Sequence, residues 1–155
     1  MTYDFKEQLA KGQAGEQLIH DYFSELERLD GFSSDFIING KGIELKTDFY
    51  DPTVTPNFLI ERYSDSERLT DGGPWKALKD GSQYYLYLFY QTKELYIIDT
   101  KDLVTYLDAN HHYFNRAYIP NKTWVTMGYK VPRHLLTDIY QKITLTDKHN
   151  KDIIK

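Results

Sequence analysis

The stretch DFIINGKGIELKTD, residues 35–48, decides how the chain around it folds. Asn39-Gly40 is the strongest short-range signal for a two-residue type I′ turn, because both central residues of that turn need positive φ. The turn predicts a hairpin in which Ile38 faces Lys41, Ile37 faces Gly42, Phe36 faces Ile43 and Asp35 faces Glu44. Side chains alternate across a strand. Asp35, Ile37, Glu44 and Lys46 then share one face, and Phe36, Ile38, Ile43 and Leu45 form an unbroken apolar face on the other. A four-residue loop over 39–42 would set Asp35 opposite Lys46 and still leave the three charges together.

Directly opposed residues have Cβ atoms about 4.5–5.5 Å apart, and like charges so placed destabilise the pair unless something positive lies between them. Read as ordinary surface charges, Asp35, Glu44 and Lys46 belong to a solvated hairpin face. Read as a group, they suit a divalent cation. Mg²⁺ prefers hard oxygen ligands, usually takes one or two carboxylates and keeps several waters. Lys46 reaches the same volume, where an ammonium holds a water or hydroxide beside the metal and steadies phosphate charge.

An Asp, a gap, then Glu-x-Lys across a hairpin resembles the signature of the PD-(D/E)xK nucleases. Here it reads Asp35, then Glu44-Leu45-Lys46, with the strand running on into Thr47-Asp48. A helical segment precedes it, with Phe5, Leu9, Ile19, Tyr22, Phe23 and Leu26 at helical spacing. Gly12 and Gly15 interrupt that helix at about 1 kcal/mol each against Ala, which points to a close backbone approach or a break. The KGQAGEQ run resembles the first helix of Holliday junction resolvases of the archaeal type.

The resemblance covers residues 5–110. It implies an α/β fold with a central mixed β-sheet flanked by helices, the restriction endonuclease-like core. It implies a Mg²⁺-dependent endonuclease, with Mn²⁺ as substitute, that hydrolyses DNA phosphodiester bonds. In that reading Asp35, Glu44 and the carbonyl of Leu45 hold the metal. Lys46 positions or activates the nucleophile, and Glu16 is an outer or second-metal ligand; an ordinary helix Glu paired with a lysine is the alternative for Glu16. Branched DNA such as a four-way junction, cut by a two-fold dimer, is the first expectation for substrate and assembly. The alternatives are a nuclease acting on linear DNA, a nuclease-fold DNA-binding protein without catalysis, and an interaction protein with an incidental match.

Composition agrees with one domain over residues 1–155, with 145–155 as a polar, frayed tail. No apolar run of about 18 residues is present. No basic, apolar signal segment opens the chain, so an intracellular, cytoplasmic protein is expected. The absence of cysteine excludes disulfides and thiolate metal sites. None of the five histidines has the spacing of a zinc-binding helix, and no Gly-rich phosphate loop occurs. The net charge of −4 requires any nucleic-acid contact to come from a local basic patch. Lys41, Arg62, Arg68, Lys76 and Lys79 are the candidates.

The remaining elements are expected as follows. Residues 4–28 form a helix, DPTVTP a loop, and NFLIERYS a third strand with Phe58 and Ile60 on one side. A short helix lies near 74–80, with Pro74 at its start. YYLYLFY and KELYIIDT are strands joined at Gln91-Thr92, and TKDLVTYLDAN is a helix capped by Thr100. Residues 111–131 are irregular or strand-like, and VPRHLLTDIYQKI begins a last helix at Pro132. Gln83-x-x-x-Tyr87 matches a pattern of one nuclease branch, but there it lies on a helix and here on a strand. Glu61 either approaches the metal or pairs with Arg62 or Lys46, and Trp75 is assigned to the core or a lid rather than to DNA. The fourteen tyrosines suit strands, with a surface minority free to stack on bases. The aromatic YYLYLFY segment supplies either a dimer interface or the sheet interior.

Overall fold

A computed structural model describes residues 5–23, 27–28, 36–38 and 40–146. The chain runs α1 (Phe5–Tyr22), β1 (Glu27–Arg28), β2 (Phe36–Ile38), β3 (Lys41–Asp48), β4 (Asn57–Asp65), β5 (Thr70–Asp71), α2 (Gly73–Lys79), β6 (Ser82–Phe89), β7 (Glu94–Asp99), α3 (Thr100–Asn110), β8 (Asn115–Pro120), β9 (Val125–Pro132) and β10 (Tyr140–Thr144). Short 3-10 turns follow α3 at His111–Tyr113 and β9 at Arg133–Leu136.

Residues 36–38 and 41–48 pair in the register that the Asn-Gly reading predicts. β2 and β3 are antiparallel, with Phe36 opposite Ile43, Ile37 opposite Gly42 and Ile38 opposite Lys41. Gly40 has φ +76°, the left-handed value the turn demands. Phe36, Ile38 and Ile43 are buried with Ile19 and Tyr22 of α1 and with Phe23 just after it, and Leu45 packs against them. The apolar face of the hairpin is therefore the floor on which α1 lies. α1 runs without a break through Gly12 and Gly15. Gly15 marks the close approach: a Cβ there would lie 1.9 Å from Thr47 Oγ1, whereas one at Gly12 would meet nothing within 4 Å.

β3 also pairs with β6 in parallel, and β6 pairs antiparallel with β7. The result is a mixed sheet in the order β1-β2-β3-β6-β7-β10, bearing out the expected α/β class with a central mixed sheet. A parallel pair needs a long crossover. Here the crossover contains β4, β5 and α2, and it builds more than a flanking layer. β4 leaves the first sheet and joins a second, antiparallel sheet in the order β5-β4-β9-β8. Phe58 and Ile60 of β4 do point one way, into a large apolar cluster with Tyr85, Tyr87 and Phe89 of β6, Tyr96 and Ile98 of β7, and Leu103 and Leu107 of α3. The central sheet thus has α1 on one face and the second sheet with α2 and α3 on the other.

Four sequence expectations are corrected. The first helix ends at Tyr22, not at 28, because Glu27 and Arg28 pair with Ile37 and Phe36 at the hairpin edge. α3 is capped by Asp99, whose carboxylate accepts the Asp102 N–H at 3.0 Å, while Thr100 is already helical and buried. No helix starts at Pro132. After one 3-10 turn, Tyr140–Thr144 pairs along β7, covering an edge that would otherwise present open N–H and C=O groups. Leu145 is not frayed: it is 9% exposed and its N–H donates to the Lys93 carbonyl. Residues 147–155 lie outside the described residues. YYLYLFY is interior, since β6 has β3 on one side and β7 on the other.

Candidate functional site

The β3–β6 ladder fixes where the charged residues of β3 point. Glu44 is paired with Tyr85, Lys46 with Tyr87 and Asp48 with Phe89. Paired residues in a sheet present their side chains on one face. Tyr85, Tyr87 and Phe89 face the second sheet. Glu44, Lys46 and Asp48 therefore share that face, opposite α1. Glu44 and Lys46 are partly exposed and stand outside the apolar cluster, while Asp48 is 8% exposed. Leu45, between them, turns its side chain to the α1 side.

Asp48 is the anchored member. Its carboxylate accepts the Tyr50 N–H at 2.8 Å and, on its other oxygen, the Tyr87 hydroxyl. The same hydroxyl accepts the Leu59 N–H at 3.0 Å, so one phenol ties β6 to the end of β3 and to the stretch of β4 that β5 does not reach. Burial, reinforced by the Asp48 charge, pushes the Tyr87 pKa well above the usual tyrosine range and keeps it a neutral donor. Nothing local in the sequence pairs Tyr87 with Asp48. The one signal was a run of phenols in a buried strand, whose hydroxyls need polar partners.

Asp35 lies outside the described residues, as does Asn39. The described ladder ends at Phe36 opposite Ile43, one step before the position where Asp35 would meet Glu44. Glu16 is not brought to the Glu44 face. It follows Gly15, whose Cα packs on Thr47, and Thr47 alternates with Lys46 to the α1 side of β3. A carboxylate on Glu16 joins Glu44 only by reaching around the strand.

Glu61 goes elsewhere. Its carboxylate accepts the Gly73 N–H at 3.1 Å, at the start of α2. Gly73 is required at that corner: it has φ +49° and a Cβ on it would meet the Glu61 carbonyl at 2.2 Å, whereas a Cβ on Gly72 would press only on the Glu61 carboxylate. Trp75 is in the core, with its indole N–H donating to Asp108 at 2.9 Å.

The five candidate phosphate-binding cations are spread over three places. Arg62 and Lys79 share Asp71, with Arg62 lying over the rings of Tyr63 and Trp75, and Lys76 on α2 pairs with Asp80 at 2.6 Å. The two cations hold the Asp71 pKa below the usual carboxylate value. Arg68 lies 3.8 Å from Asp65 at the β4–β5 turn. Lys41 sits over the Tyr84 ring on the α1 side.

Among the described residues no three His, Asp or Glu side chains come together as a metal cage. Glu44 fits a different kind of site, since a partly exposed carboxylate with an ammonium two residues along the same face suits a hydrated hard cation that takes one or two carboxylates. Among the described residues no helix is long and apolar enough to cross a membrane. No protein-family model matches the chain, and no curated protein matches it.

Proposed function

We propose that the protein is a Mg²⁺-dependent nuclease that hydrolyses DNA phosphodiester bonds at the β3 face, on a core of the restriction endonuclease-like kind. The observation that carries this reading is the register of β3. It is the register the Asn39-Gly40 turn demands, and it sets Glu44 and Lys46 side by side on a partly open face of a central strand. The reading requires Asp35 opposite Glu44, one step along the same ladder.

Asp35, Glu44 and the Leu45 carbonyl would hold the cation, with Mn²⁺ as substitute. When bound, a divalent cation polarises the phosphate and lowers the pKa of a coordinated water. The chain's own groups do the rest. Glu44 presents hard oxygen on the side of the sheet away from α1. Lys46 holds the attacking water by hydrogen bond and places positive charge beside the phosphate. The Asp48–Tyr87–Leu59 bridge keeps the end of β3 from shifting, so Lys46 stays in register with Glu44. A four-way junction is the preferred substrate, cut by a two-fold dimer so that two sites address opposing strands.

Metal binding tests the site. Titration with Mn²⁺, followed by calorimetry, gives a saturable site that Glu44→Ala and Asp35→Ala remove and Glu61→Gln leaves intact. Binding unchanged by Glu44→Ala would end the proposal.

A further inference from the structure

From Ala109 to Thr137 the chain contains no Asp or Glu, yet it carries Arg116, Lys122, Lys130 and Arg133, in a protein with net charge −4. The negative excess lies wholly elsewhere. Most of this acid-free segment is the β8–β9 hairpin, with β8 as the outer strand of the second sheet. Its rings are unusually exposed: Tyr113 by 75%, Tyr118 by 58% and Trp124 by 43%. Arg116 and Tyr118 stand two residues apart on one face of β8, opposite Tyr129 and Met127 of β9. The Tyr118 hydroxyl, on the same face, favours the charged form of the Arg116 guanidinium. Tyr113 lies just before the strand, and Lys122 and Trp124 form the turn after it. The six residues of β8 lay these groups along roughly 20 Å.

The neighbouring charges are accounted for. Arg133 is turned inward, over Phe89 and onto the Pro52 carbonyl. Asp108 is held by Trp75. At the Trp124 end, a shallow cleft of about 480 Å³ also contains Arg68, Asp65 and Glu67, with Asp65 accepting the N–H groups of Glu67 and Arg68. The Arg116–Tyr118 end is the more positive.

We propose that the β8–β9 hairpin holds a single-stranded nucleic acid, with bases stacking on Tyr113 and Tyr118 and phosphates meeting Arg116 and Lys122. Exposed rings alternating with cations match the two features every such strand offers, a flat base and an anionic backbone. A duplex hides its base faces, so unpaired DNA is the form these rings favour. The inference rests on the nuclease reading only for the choice of DNA; the hairpin would deliver an unpaired arm to the β3 face.

The test is fluorescence anisotropy of labelled oligothymidylate with the Glu44→Ala protein in EDTA, where no cleavage occurs. Binding should weaken as salt rises. Tyr113→Ala with Tyr118→Ala should weaken it about tenfold or more. Arg116→Ala should lower the salt slope by about one. Lys101→Ala, on the exposed side of α3, should change nothing. Circular dichroism checks that each variant is folded. No binding at low salt, binding indifferent to the three hairpin substitutions, or binding to anionic lipid vesicles in place of the oligonucleotide would overturn the inference. Oligonucleotide binding lost in the hairpin variants, with no Mg²⁺-dependent cleavage by the wild-type protein, would keep the hairpin site and discard the nuclease.

Discussion

Glu44, Lys46, Tyr87 and Asp71 each carry a separate consequence for activity or stability. Glu44 and Lys46 are partly exposed and outside the apolar clusters, so either Ala variant should stay folded, checked by circular dichroism. Each should lower Mg²⁺-dependent cleavage by roughly a hundredfold or more. A Lys46→Ala protein that cleaves normally would remove that lysine from the chemistry. Tyr87 is different, because it is buried and bonded twice. Tyr87→Phe strands the Leu59 N–H and an oxygen of Asp48, at a cost of about 1–3 kcal/mol by denaturant unfolding. A loss well below that range would mean the bridge contributes little. Asp71 gives a pH signature. Lys79 and Arg62 depress its pKa below the ordinary 3.8, so its contribution is fully present above about pH 4 and disappears as pH falls through the lower, folded value. The gap in stability between wild type and Asp71→Asn should be on the order of 1 kcal/mol at neutral pH and should close in acid. A gap that persists at the acid end would assign the effect to something other than the charge.

Among the elements, the α1–β3 contact offers the sharpest contrast. Gly15→Ala drives a methyl into the short, branched Thr47 side chain and should destabilise by about 1–3 kcal/mol. Gly12→Ala meets open space in the same helix and should stabilise by up to about 1 kcal/mol. Equal effects in thermal unfolding would refute the packing described. Two glycines three residues apart look alike in the sequence; only the strand beneath one of them tells them apart. The same limit explains what was and was not legible. The β2–β3 register was readable because Asn-Gly fixes it locally and period-two alternation separates Phe36, Ile38, Ile43 and Leu45 from Glu44 and Lys46. β10 was not, because Pro132 imitates a helix start and the reason for a strand, the open edge of β7, lies far away in sequence. Glu61 was unreadable for a related reason. Its partner is a backbone N–H at Gly73, across the β4–β5 turn.

Two layers place the two proposed sites on separate sheets. The central sheet supplies the β3 face. The second sheet, which strand counting along the chain did not anticipate, presents the acid-free hairpin. Its strands were hard to recognise because β5 is two residues long and β8 is exposed on both faces, so neither shows an apolar alternation. A negative protein that engages DNA through one basic, aromatic hairpin should bind weakly and lose that binding steeply with salt. The most direct test of the central claim is strand cleavage with Mg²⁺ on a panel of four-way junction, flap, nicked duplex, linear duplex and single strand. The wild-type protein should cut at least one of these in Mg²⁺ or Mn²⁺ and none in EDTA, with the junction fastest, and Glu44→Ala should cut none. Cleavage that survives Glu44→Ala, or a wild-type protein inert on every substrate with both metals, would contradict the assignment of the β3 face.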